Sequence, residues 1–89
     1  MGAVADAITA KLAAAFSPER LEVVDQSEKH RGHGGWREGG ETHFDVRVVA
    51  AAFAGLSRVE RQRRINTVLR DELAGPVHAL SLQALAPGE

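Results

Sequence analysis

No cysteine occurs anywhere in the 89 residues. The chain therefore brings no disulfide and no thiolate of its own, and any metal it binds alone must take nitrogen or oxygen ligands. Long apolar runs are missing too: nothing approaches the ~20 residues that cross a bilayer, so no membrane partner is expected. Charge of one sign is not in excess, with a net of −1. That excludes a global attraction to nucleic acid or anionic lipid and leaves only a local patch for such a role. The opening Met1-Gly2-Ala3-Val4-Ala5-Asp6 lacks the basic segment of a secretory leader, so a cytoplasmic location is expected. The sequence has no P-loop, no Gly-x-Ser-x-Gly elbow, no His-Glu-x-x-His and no Cys/His pair. Asp25 and Glu28 lie near histidines without forming a catalytic constellation, and a chain this short leaves little room for a pocket. The expectation is a binding protein, not an enzyme.

What is present suffices for one domain, residues 1–89, with a core of its own. Val4, Ile8, Leu12, Ala15 and Phe16 recur at helical spacing, which predicts an amphipathic helix over 3–16, stopped at Ser17-Pro18. Residues 20–25 are rich in β-branched and apolar types and read as a strand. The five glycines between Ser27 and Glu41, in a stretch containing His30-Arg31-Gly32-His33-Gly34-Gly35-Trp36, suit only a solvated loop. A second strand starts at about Thr42, where Phe44, Val46 and Val48 alternate with His43, Asp45 and Arg47. Ser57-Arg58-Val59-Glu60 reads as a reciprocal capping box. It opens a helix with Ile65, Val68, Leu69 and Leu73 on one face, ended by Gly75-Pro76. Val77 to Ala84 forms the third strand. The fold class is α+β, in the order α-β-β-α-β.

The first two strands should pair as an antiparallel hairpin with an unusually long loop, and long loops in compact domains tend to be functional. The helical connection between strands two and three has the length a parallel crossover needs. Parallel strands begin at the same sheet edge, and the glycine-histidine loop ends there as well. All four histidines, His30, His33, His43 and His78, are thus expected at one end of the molecule.

Clustered imidazoles suggest a metal site, because neutral histidine readily binds borderline transition metals. Spacing alone also allows His30 and His33 to be solvated loop residues without a role. His78 shares parity with Leu80, Leu82 and Ala84, which points it to the apolar side as a ligand or as a hydrogen-bonded cap on the core. His43 shares parity with Asp45 and Arg47 on the outer polar face, where it supports a ligand or the structure rather than binding metal. The second helix holds Arg58, Arg61, Arg63, Arg64 and Arg70, which either contact phosphates or form a solvated face balanced by Glu60, Asp71 and Glu72. Trp36 is a candidate partner-facing anchor, or it folds back on the sheet.

Several segments together resemble the BolA family: Leu21-Glu22-Val23-Val24-Asp25-Gln26-Ser27, the His30–Gly35 loop, Glu41-Thr42-His43-Phe44, Phe53-Ala54-Gly55-Leu56-Ser57, Arg61-Gln62-Arg63, and Leu73-Ala74-Gly75-Pro76-Val77-His78-Ala79-Leu80. The match runs in order over nearly the whole chain. The resemblance implies a three-stranded mixed sheet like that of a type II KH domain. It implies partnership with a monothiol glutaredoxin over a bridging 2Fe-2S cluster, in cluster trafficking or iron regulation. The histidine of the Val-His-Ala-Leu motif would be one cluster ligand and falls on His78; His30 or His33 would be the second. Iron–sulfur clusters are held mostly by thiolates, with histidine pairs known as replacements on one iron. A cysteine-free chain would then rely on its partner and glutathione for thiolates, bind no cofactor when alone, and be a monomer by itself. Because each imidazole must be neutral to ligate, binding is expected to weaken below about pH 6, near the free histidine pKa. Some members of this family resemble DNA-binding transcriptional regulators, which makes DNA the alternative partner. Two features depart from the family pattern. Gln62 stands where a histidine is usual between the arginines, and the chain after the third strand is too short for the further helix of some members. Separately, no KH-type Gly-x-x-Gly loop for gripping a nucleic-acid backbone is evident, which weakens any borrowing of KH function.

Overall fold

The computed structural model describes residues 2–26 and 42–89. Helix α1 (Ala3–Phe16) leads to strand β1 (Arg20–Asp25), then β2 (His43–Val49), a 3-10 turn (Ala51–Phe53), helices α2 (Arg58–Val68) and α3 (Arg70–Ala74), and β3 (Ala79–Leu85). The sheet order is β1-β2-β3. β1 runs antiparallel to β2, with Val23 opposite Val46. β3 runs parallel to β2, with His43 opposite Ala79 and Val46 opposite Leu82. The expected α+β topology and mixed sheet are what the chain adopts.

The register explains the core. Leu21, Val23, Phe44, Val46, Val48, Leu80, Leu82 and Ala84 occupy one face by strict alternation, and all of them belong to the core cluster or pack against it. Ala5, Ile8 and Leu12 of α1 are buried against this face, whereas Ala15, which the spacing assigned to the stripe, is exposed. The short turn after β2 drops Phe53 into the interior at 0% exposure, with its ring centroid 4.9 Å from that of Phe16. Ser17 ends α1 in the left-handed conformation at φ 45°, its N–H donating to the Ala13 carbonyl, and Pro18 prevents continuation.

Three local expectations need correction. The second helix is two helices joined at Leu69, whose φ of −99° and ψ of 18° leave the helical region. Its backbone N–H still reaches Ile65, and Leu73 N–H reaches Leu69, so the apolar stripe continues across the break. Thr67 Oγ1 donates back to the Arg63 carbonyl at 2.9 Å just before it, a contact that bends helices. The capping box is only half made: Ser57 Oγ accepts from Glu60 N–H. The Glu60 carboxylate instead turns toward Arg64 at 3.4 Å and Arg63 at 3.9 Å. Finally, β3 begins at Ala79, two residues later than the composition suggested. Val77 N–H is committed to the Glu72 carbonyl at the end of α3, which keeps it out of the ladder.

Candidate functional site

The site is built where β2 and β3 start. Thr42, fully buried, presents its carbonyl to two donors, His78 N–H at 2.7 Å and Ala79 N–H at 3.2 Å. This fork sets the point at which β3 joins the sheet. Because His78 precedes the first ladder pair, the pleat does not govern its side chain, which is exposed. The exposed place at this sheet edge that a cluster ligand needs is the one His78 takes; its parity with Leu80 does not bury it, because alternation extrapolates only within a ladder.

His43 heads β2 opposite Ala79. Its Nδ1 lies 2.8 Å from Thr42 Oγ1, and its carbonyl accepts from Gln26 N–H at 2.7 Å. The ring is buried, with 9% of the residue exposed, although the other residues of its parity, Asp45 and Arg47, face solvent. The His78 ring lies over it, with centroids 6.2 Å apart and planes 14° from parallel. The outer position expected for His43 is therefore a covered one.

Gln26 and Thr42 flank residues 27–41 and both sit at this edge. His43 and His78 are brought together there, as the topology predicted. His30, His33 and Trp36 lie outside the described residues. Among the described residues, no three of histidine, aspartate or glutamate gather to hold a metal. Thr42 is the residue that sequence reasoning passed over. Its only signal was a hydroxyl beside a histidine at a strand start.

The arginines divide. Arg58, Arg63 and Arg64 are exposed, the last two within reach of Glu60. Arg61, expected to contact a partner or phosphates, is instead buried, with its side chain 8% exposed. Its Nε donates to the Leu56 carbonyl at 3.0 Å, one terminal nitrogen to the Ala84 carbonyl at 3.1 Å, and both terminal nitrogens to the Glu89 carboxylate. These bonds use four of the five N–H groups of the planar guanidinium and leave it only one to offer a ligand. Those bonds, with one from Ala86 N–H, pull the Glu89 carboxyl down to about 2.

The BolA-like protein family model matches residues 12–89. The chain belongs to this family. It is 47% identical over its whole length to BolA-like protein 1 of Pongo abelii, of which it spans 62%. It is 41% identical to the DNA-binding transcriptional regulator BolA of Vibrio cholerae over 97% of this chain and 77% of that one. Among solved structures it resembles the BolA domain of SufE1 from Arabidopsis thaliana, with a TM-score of 0.87, 44% identity, and coverage of 98% of this chain and 95% of that one. No helix among the described residues is long and apolar enough to cross a membrane.

Proposed function

We propose that this BolA-family chain is a binding adaptor, not an enzyme, that completes the coordination of a 2Fe-2S cluster carried by a monothiol glutaredoxin with glutathione. The observation that supports this reading most directly is the exposed imidazole of His78 at the sheet edge flanked by Gln26 and Thr42. The donor set fits a shared cluster. A chain without cysteine can contribute nitrogen ligands and leave the thiolates to its partner. His78 would hold one position, and His30 or His33 a second. When bound, such a cluster would supply a redox-active group whose potential is raised by histidine ligation relative to all-thiolate sites. This chain's part is to present a neutral imidazole at a fixed place.

Mixing the protein with a monothiol glutaredoxin, glutathione, iron and sulfide tests the reading. The expected product is a heterodimer whose visible absorption differs from that of the glutaredoxin homodimer, and His78→Ala should abolish the difference. An unchanged spectrum in that variant would contradict the assignment.

A second reading is DNA binding. It is supported by the Vibrio cholerae relative's description as a DNA-binding regulator and by exposed Arg58, Arg63 and Arg64 on α2. Affinity for duplex DNA should then fall steeply with salt, and Arg63→Ala should reduce the logarithmic salt slope by about 1. Binding without salt dependence would remove this reading.

A further inference from the structure

An exposed histidine at the end of a strand ordinarily samples several rotamers within nanoseconds. A ligand that must meet a cluster held by another protein gains from having its direction fixed beforehand. The residues around His78 supply such a fixture. Its backbone N–H is bound by the Thr42 carbonyl at 2.7 Å, and its ring lies on His43 with planes 14° apart. The centroid separation of 6.2 Å falls in the range of offset-stacked rings.

His43 is a firm platform because it is itself held twice. Its Nδ1 is engaged by the hydroxyl of fully buried Thr42, and its carbonyl is tied to Gln26 on the neighbouring strand side. It also sits at the head of the central strand, where both neighbours pair with β2. Burial of the His43 ring and the engagement of its Nδ1 suit it to supporting a ring above it, whereas the exposed ring of His78 suits the ligand role.

We infer that Thr42 and His43 are positioning residues that set the orientation of the His78 imidazole: the threonine grips the backbone of residue 78 through its carbonyl and steadies the His43 ring through its hydroxyl, and that ring forms the shelf on which His78 lies. The inference rests on the reading of His78 as a cluster ligand and deepens it. It also makes a claim about the cluster-free protein that stands by itself. What matters at position 43 is a flat ring held in place, so phenylalanine should serve and alanine should not.

The experiment has two arms. In the cluster-free chain, three-bond NMR couplings across χ1 of His78 should report a single dominant rotamer in the wild type and in His43→Phe. Rotamer averaging is expected in His43→Ala. Thr42→Val, which removes the hydroxyl and keeps the shape, should loosen the rotamer, and Thr42→Ser should restore it. Far-UV circular dichroism and thermal melting establish that each variant is folded. Should His43→Ala fail to fold, His43→Leu, apolar but without a flat ring, replaces it with the same expectation. In the second arm, release of the cluster from the mixed complex with a monothiol glutaredoxin is followed by visible absorption. His43→Ala should speed release by roughly 10- to 100-fold, the usual cost of losing a group that orients a metal ligand, while His43→Phe stays near wild type. Averaged χ1 in the wild type, or unchanged χ1 and release in His43→Ala, would overturn the inference. So would a His43→Phe variant as loose as His43→Ala, because the shelf would then not be the ring's flat face. A complex that does not depend on His78 at all would defeat the functional reading, and the rotamer comparison would still decide the positioning claim.

Discussion

A guanidinium buried against a hydrophobic core must have its N–H groups satisfied or the burial is strongly unfavourable. Arg61 meets this demand for four of its five N–H groups, with two carbonyls and a carboxylate that lies 28 residues further on. A helical wheel places Arg61 at the margin of the apolar stripe. It cannot reveal that the chain end folds back to cover it, because that contact is long-range. The consequence is a dependence on acidity. Glu89 falls from its ordinary 4.5 to about 2, first because Arg61 donates to it and then because Ala86 N–H does. A carboxyl depressed in the folded state contributes fully above about pH 4.5 and loses that contribution as pH drops toward 2. Glu89→Gln should therefore lower the melting temperature near neutrality, with the gap to wild type closing between pH 4.5 and 2. A gap that stayed constant across melts in that window would show that the carboxylate charge is not what holds the clasp. His78 offers the second lesson at this scale. Its exposed place at the sheet edge was legible from the topology, whereas parity was a poor guide to its side chain, since it lies just before the ladder that parity describes.

The elements themselves were largely legible because each carries its own start or stop. β2 alternates cleanly from Phe44 to Val48, and the three apolar members are the ones buried. What stayed hidden was the interruption at Leu69, since the residues on both sides keep the same apolar spacing and the hydrogen bonds run through. The two helix ends with defined caps predict opposite outcomes. Ser17 occupies the left-handed region at φ 45° and ψ 55°, which costs a residue with a Cβ roughly 1–2 kcal/mol. After the greater chain entropy of glycine is set against this, Ser17→Gly should stabilise the protein by about 0.5–1 kcal/mol. Ser57 accepts from Glu60 N–H at 3.1 Å, and Ser57→Ala should cost about 1 kcal/mol. Urea denaturation of the two variants checks both signs, and a destabilised Ser17→Gly would contradict the cap assignment.

At the scale of the whole molecule, the decisive feature is that a parallel crossover returns the chain to the edge it left. β2 and β3 start side by side, so Thr42, His43 and His78 converge although 35 residues separate the rings in sequence. Strand order and crossover length made that convergence predictable. The interlock between Thr42, His43 and His78 was not, because it depends on which donor reaches the Thr42 carbonyl, and periodicity carries no such information. The same fold puts exposed arginines on α2 and an exposed imidazole at the start of β3, so the two functional readings use different groups and can be tested separately. The most direct measurement for the cluster reading is pulsed electron paramagnetic resonance on the reduced heterodimer, prepared with this chain alone labelled with nitrogen-15 at histidine. The account predicts nitrogen-15 hyperfine coupling to the cluster that includes a contribution lost in His78→Ala. A reduced cluster with no coupling to the labelled histidines, or with the same couplings after that substitution, would contradict it.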